Sequence, residues 1–236
     1  MKKIFTSILL ITGLALAGCT SQQTVDYKGI SFKYPSDLTV SYNNFEPFRG
    51  ENIDVQASYI SDFMSDCVEQ EVSRGGEKSY HDLYEEYSET LKYLRDNGIN
   101  NSVENLESLT CGYAGSNLSS ELIKIDGING VIFHKVTGNS GLPSLSTYFT
   151  QVLLVGPENQ VYSVVFNYEF GDLGQYIRSI KDEFGEAILD ESESYKYDQV
   201  YEYLAHGNPI KDPDVAKFED NQKVINDIIN SINIKQ

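Results

Sequence analysis

Between Tyr148 and Phe170 apolar and polar positions alternate with a period of two. The second half of that stretch, with Tyr162, Val164, Phe166, Tyr168 and Phe170 at every other position, is the most regular pattern in the chain. Successive strand side chains point to opposite faces, so these five predict one large apolar surface, with Ser163, Asn167 and Glu169 on the other side. Gly156-Pro157-Glu158-Asn159 supplies a turn, and the whole reads as a hairpin. A different period runs through Tyr80, Leu83, Tyr84, Tyr87, Leu91 and Leu94. These form a single helical stripe, which Ser79 caps and Asn97-Gly98 ends. The stripe is the expected cover for the hairpin's apolar face, where each large side chain buried contributes roughly 1.5 to 3 kcal/mol.

The remaining elements are shorter. Gly29 to Pro35, Leu38 to Tyr42 and Ile53 to Tyr59 alternate and predict two or three strands, the first stopped by a proline that has no ladder donor. Asp62 to Gly76 shows no clear period before Gly75-Gly76 breaks the chain. Val103 to Thr110 reads as a strand. Glu121 to Ile125 and Val131 to Val136 flank the turn-rich Asp126-Gly127-Ile128-Asn129-Gly130, which suits a hairpin with a bulge. Leu173, Tyr176, Ile177, Ile180, Phe184 and Ile188 predict a second helix. Tyr197, Val200, Tyr201 and Leu204 predict a third, stopped at Gly207 ahead of Pro209 and Pro213. Val224, Ile225, Ile228, Ile229 and Ile232 predict the last, with Ile232 to Lys235 ending as a strand. Strands and helices alternate too irregularly for a parallel βαβ array, so the fold class is α+β, an antiparallel sheet flanked by helices.

The N-terminus changes the picture. Lys2 and Lys3 precede an apolar run from Ile4 to Ala17, which leads to Leu16-Ala17-Gly18-Cys19. The run is too short for a membrane span of about 20 residues, and small residues precede the cysteine. This resembles a bacterial lipoprotein signal peptide. The resemblance implies cleavage of residues 1–18 and a lipid anchor on Cys19, with diacylglycerol on the sulfur and an acylated amine. Residues 19–26 are then a polar tether, and 27–236 a single α+β domain. Thr20 stands where aspartate would be the usual inner-membrane retention signal, so the expected location is the outer membrane where the host has one, on the periplasmic or outer face.

Net charge is −17, from 18 basic and 35 acidic residues, and loss of Lys2 and Lys3 makes the mature chain more acidic still. Nucleic-acid affinity rests on neutralising phosphates with Lys and Arg, so a nucleic-acid binder is disfavoured, as is docking on anionic lipid. Solubility is the natural use of this charge. Besides Cys19 there are Cys67 and Cys111. In an oxidising compartment they are expected to form a disulfide worth about 4 kcal/mol in the chain-entropy model, against the alternative of two buried thiols.

Three segments together are similar to the PsbP-like family, which includes a photosystem extrinsic subunit and Ran-binding modules of the same fold. They are Gly29-Ile30-Ser31-Phe32-Lys33-Tyr34-Pro35, Gln160-Val161-Tyr162-Ser163-Val164-Val165-Phe166 and Ile229-Asn230-Ser231-Ile232-Asn233-Ile234, in the family's order. The resemblance implies an α/β/α sandwich with non-catalytic binding or assembly roles, and it transfers no functional residues. Two departures stand out. Leu38 lies near where family members often place an aromatic residue after the first proline, and residues 171–220 form a long helical insertion near the C-terminus.

Chemical motifs are sparse. His81 and Glu85 lie one helical turn apart without a second histidine or an HExxH pattern, which fits a solvated face better than a metal site. His134 and His206 have no partner readable from sequence. No GxSxG, P-loop or GxGxxG occurs. Asp212, Asp214, Glu219 and Asp220 could offer oxygen ligands to Ca²⁺, but their spacing is not an EF-hand and reads as a solvated loop. Tyr195, Tyr197, Tyr201 and Tyr203 bracket one short helix, with Tyr197 and Tyr201 sharing a face. Rigid amphipathic rings of this kind suit a protein or glycan partner, with ordinary packing as the alternative. The expectation is a lipid-anchored envelope module that is not an enzyme and has no cofactor or metal. A small periplasmic hydrolase with a site built from scattered Asp, Ser and His, or a purely structural envelope protein, are the alternatives.

Overall fold

A computed structural model describes residues 21–42, 52–73, 78–98, 116–137, 147–166, 179–181, 187–189, 192, 194–213 and 215–235. Its strands are β1 (Gln22–Tyr27), β2 (Ile30–Pro35), β3 (Val40–Tyr42), β4 (Ile53–Tyr59), β5 (Ser116–Ile125), β6 (Ile128–Thr137), β7 (Thr147–Val155), β8 (Gln160–Phe166), β9 (Ser179–Lys181), β10 (Ala187–Leu189) and β11 (Asn233–Ile234). The helices are α1 (Ile60–Ser73), α2 (Tyr80–Asn97), α3 (Ser194–His206) and α4 (Ala216–Asn230). The architecture is α+β. A six-stranded sheet in the order β3-β4-β8-β7-β6-β5 forms the centre, antiparallel except at β3–β4. A three-stranded sheet in the order β1-β2-β11 stands apart from it.

The central sheet is covered on both faces. On one, α1 and α2 bring Phe63, Met64, Val68, Leu83, Tyr87, Leu91 and Leu94 against Val131, Phe133, Leu153, Val155 and Val161. On the other, β1, β2, β11 and α4 bring Phe32, Ile225, Ile228 and Ile229 against Val55, Ile132, Val152, Leu154, Tyr162, Val164 and Phe166. The layers are thus helices, sheet, and a third layer that is part sheet and part helix. The apolar face of β8 meets this third layer, and α2 packs on the opposite face, which corrects the pairing expected from sequence. Ser163, assigned by alternation to an outer side, is completely buried beneath the helices' side of the sheet and accepts a hydrogen bond from Gln151 Nε2 at 3.1 Å. With a cover on each face, polar positions of a central strand need an internal partner.

Local chemistry explains most boundaries. Ser79 caps α2 by accepting from the Asp82 N–H at 3.2 Å. The two-residue turns Lys28-Gly29 and Asp126-Gly127 have positive φ throughout (45° and 95°; 49° and 83°), the geometry that matches strand twist in tight hairpins. The second of these is tighter than the five-residue stretch expected, and the ladder irregularity lies elsewhere, between Asn117 and Ser119. The Ile60 N–H donates to the Asn159 carbonyl at 2.7 Å, so the β7–β8 turn pins the start of α1.

Further corrections follow. The expected tether contains β1, which pairs along its length with β2 from Gln22↔Pro35 to Tyr27↔Ile30, leaving at most residues 19–21 as a tether. The helix expected from Leu173 to Ile188 is replaced in its described parts by a two-stranded ladder in which Ile180 pairs with Ile188. Both are β-branched, and three residues on each side suffice for the pairing, so a shared helical period was a coincidence of spacing. The stretch from Asp62, which shows no clear period, holds most of α1, whose Ile60, Phe63, Met64, Cys67 and Val68 are all buried. Val103 to Thr110, Tyr168, Phe170, Leu173, Tyr176, Ile177 and Phe184 lie outside the described residues. Among the described residues no helix is long and apolar enough to cross a membrane.

Candidate functional site

Toward the β5–β6 edge, the layer between the central sheet and α4 turns from apolar to polar. Along β6 the positions facing α4 run Ile128, Ile132, His134. Along α4, Ile225, Ile228 and Ile229 enter the core, while Gln222 and Asn226, one turn apart, face a cleft of about 410 Å³. Ser119, Ser120 and Glu121 of β5 line it, together with Tyr203, Leu204 and Ala205 of α3 and Gly207. Its size lies within the roughly 300 to 1,000 Å³ of small-molecule sites.

Each wall is fixed. The Ser119 hydroxyl donates to the Leu204 carbonyl at 2.6 Å, tying α3 to the edge strand. Tyr203 packs edge-on against Phe218 of α4, with centroids 6.1 Å apart and rings at 89°. Burial, and then the nearby Glu219 carboxylate, push the Tyr203 phenol pKa up. His134 Nδ1 lies 3.1 Å from the buried Thr150 hydroxyl. Burial lowers the His134 pKa to about 4, so the imidazole is neutral at physiological pH. Among the described residues lining the cleft, Glu121 is the one carboxylate and there is no lysine or arginine. The site offers hydroxyls, amides and a neutral imidazole, each able to donate and accept hydrogen bonds. As a general base His134 is poorly matched, since its conjugate acid lies about three units below neutral pH.

Two other hollows have their main polar groups engaged within the protein. At the one lined by Lys28, Tyr59, Asp62, Gln160 and Tyr162, the Lys28 ammonium donates to the Ala57 carbonyl at 3.3 Å and the Tyr162 hydroxyl to Gln160 at 2.7 Å. At the other, lined by Arg95, Asp96, Asn129 and Pro157, Arg95 is held by Asp96 and Asn159.

The tyrosines separate. Tyr203 enters the cleft, Tyr195 and Tyr201 are exposed at 47% and 39%, and the Tyr197 side chain lies outside the described residues. The helix carrying them is packed into the domain, for Val200 and Leu204 are buried. The acidic loop is committed to local bonds. Asp212 accepts from the Tyr195 hydroxyl at 2.6 Å, Glu219 from the Ile210 N–H, and Asp220 pairs with Lys223, while Asp214 lies outside the described residues. Among the described residues no group of three or more His, Cys, Asp or Glu side chains is placed to hold a metal. His81 and Glu85 stand on an exposed helix face, 4.0 Å apart, and His206 is exposed at the end of α3. Cys67 is buried on α1, whereas Cys19 and Cys111 lie outside the described residues.

The sequence pattern places His134 on a strand but shows no partner for it. Gln222 and Asn226 were missed, although polar residues four apart on the flank of the isoleucine stripe were a readable signal. No protein-family model matches the chain, and a comparison with curated proteins finds no match.

Proposed function

We propose that this chain is a lipid-anchored envelope lipoprotein, held by an acylated Cys19, whose domain is a non-catalytic module binding a protein partner or envelope component in the cleft between β5, β6, α3 and α4. The observation that carries the binding part is the run of His134, Gln222 and Asn226 in a layer otherwise filled by isoleucine, leucine and valine. The run sets polar side chains beside an open hollow of small-molecule size, which supports an occupant there. The anchor rests on the leader and Cys19, the outer-membrane location on Thr20, and the assembly role on the PsbP-like resemblance. A Cys67–Cys111 disulfide belongs to the same reading, as it would join α1 to the segment after α2.

A hydrolase built on His134 and Ser119 is the rival. It is disfavoured by the weak basicity of the imidazole and by the Ser119 hydroxyl being committed to Leu204. The test is capture from detergent-extracted envelopes, read by quantitative mass spectrometry, comparing the natural chain with Asn226→Arg. Asn226 is exposed, so this change fills the cleft mouth without entering the core. Identical capture by both would remove the cleft from the proposal. Cys19→Ala should release the chain from membranes, and retention there would remove the anchor.

A further inference from the structure

The fold begins almost at the residue read as the anchor. Resting on the reading of Cys19 as acylated, we propose that the start of β1 and the turn from Pro35 to Thr39 form a membrane-facing end of the domain, seated on zwitterionic lipid headgroups. Ser21 is already part of the fold: its carbonyl accepts from the Ser36 N–H at 2.9 Å, its hydroxyl bonds the Ser36 hydroxyl, and Gln22 opens the ladder opposite Pro35. Two Cα steps of about 3.8 Å separate Cys19 from Ser21, so Ser21 lies within about 8 Å of the anchor residue whatever the conformation between them. The headgroup region of one leaflet is itself about 5 to 8 Å deep. A fold that starts so close cannot stand clear of that layer.

The bonds leading away from Ser36 define which part of the domain comes with it. The Leu38 N–H donates to the Pro35 carbonyl at 3.1 Å and closes the turn, the Thr39 N–H donates to Asn52 Oδ1 at 3.0 Å, and the Ile53 N–H donates to the Thr39 carbonyl at 3.0 Å. The start of β4 therefore lies at this end too. The opposite end of both sheets is fixed by Lys28, on the β1–β2 turn, whose ammonium donates to the Ala57 carbonyl of β4 at 3.3 Å. Ile53–Tyr59 has seven residues, and at roughly 3.3 Å each Tyr59 and the adjoining β7–β8 turn stand about 20 Å further out. Charge fits the same orientation. The chain carries −17, yet the exposed Ser21, Gln22, Ser36 and Thr39 at this end are uncharged, with Asp37 the one carboxylate among them. Hydroxyls and amides can exchange hydrogen bonds with zwitterionic headgroups without bringing the acidity of the chain onto the bilayer.

The experiment places single cysteines at the two ends, Asp37→Cys near the anchor and Glu158→Cys in the β7–β8 turn, and labels each with a fluorophore. The full acylated chains are reconstituted into phosphatidylcholine vesicles containing a lipid with a nitroxide on its headgroup, and the natural chain taken through the same labelling gives the background. Both positions are exposed, and circular dichroism checks that the variants fold. The expected result is quenching several-fold stronger at position 37 than at position 158. Inserting about ten Gly and Ser residues between Thr20 and Ser21 adds a reach of about 16 to 19 Å and should bring the two positions to equal quenching. Equal quenching without the insertion overturns the proposal, as does stronger quenching at position 158. A preference for position 37 that survives the insertion also overturns it, since the short tether would not be its cause. Flotation of the natural chain with vesicles reads the anchor separately. If the chain floats and the two labels are quenched alike, the anchor stands and the seating falls; if the chain does not float, both fall.

Discussion

Gly130 of β6 lies directly opposite Leu154 of β7, and a Cβ at Gly130 would stand 2.3 Å from the Leu154 Cδ2 and 2.5 Å from the Leu153 carbonyl oxygen. Leu154 is fully buried and the Leu153 oxygen belongs to the strand backbone, so something in the β6–β7 ladder must shift. Gly130→Ala should therefore destabilise the domain by about 1 to 3 kcal/mol through overpacking. Gly127→Ala meets nothing within 4 Å and carries only the strain of φ +83°, about 1 to 2 kcal/mol. Urea denaturation of the two variants checks both. Equal loss at both positions through backbone strain alone would contradict the close contact.

His134 makes stability depend on pH. In the unfolded chain its pKa is about 6.5; in the fold it is about 4. Between those values the unfolded state binds a proton that the folded state refuses. The contribution is thus complete above pH 6.5 and is lost as pH falls towards 4, by about 3 kcal/mol in all. His134→Gln should flatten this part of the stability–pH curve, as measured by denaturant midpoints at pH 4.5 and 7. An unchanged difference between the two midpoints would locate the proton elsewhere.

Ser79→Ala removes the acceptor for the Asp82 N–H and should cost about 1 kcal/mol. The loss should appear in thermal unfolding, and Ser79→Asp should recover most of it, since a carboxylate also accepts at that position.

Leu204→Ala should cost roughly 2 to 5 kcal/mol, because α3 packs into the body: Val200 and Leu204 are buried and Ser119 is tied to the Leu204 carbonyl. Deleting Asp190 to Pro213 should for the same reason yield an unstable domain rather than a folded one lacking recognition. Native circular dichroism and an unchanged melting temperature in that deletion would show α3 to be dispensable.

Much of the frame was legible because its signals are local. The alternation of β8, the Tyr80 to Leu94 stripe and the closing Asn233–Ile234 strand follow from side-chain period, caps and turns, and all three exist. What a strand faces is not local. Ser163 on β8 reads as an outer position until a second cover is known, and nothing near it in sequence reports that α1 and α2 lie above. The same limit hid the cleft. His134 and Thr150 meet across two strands, and Gln222 and Asn226 reach that neighbourhood from almost ninety residues along the chain. α1 was missed for a different reason, since its first apolar residue directly continues β4 and blurs two periods into one run.

The pairing of β11 with β2 sets an order of events. Ile234 lies opposite Ile30, and the Lys235 N–H donates to the Gly29 carbonyl at 2.8 Å, so among the described residues the β1–β2 hairpin acquires its second neighbour from Asn233 and Ile234. Until those residues have been synthesised, Ile30 and Phe32 lack part of their cover and one edge of β2 has open hydrogen-bonding groups. Closure across some two hundred residues is a slow, non-local step. The β1–β2 hairpin must wait for residues made some two hundred positions later, and a chain cut before them carries an adhesive strand edge.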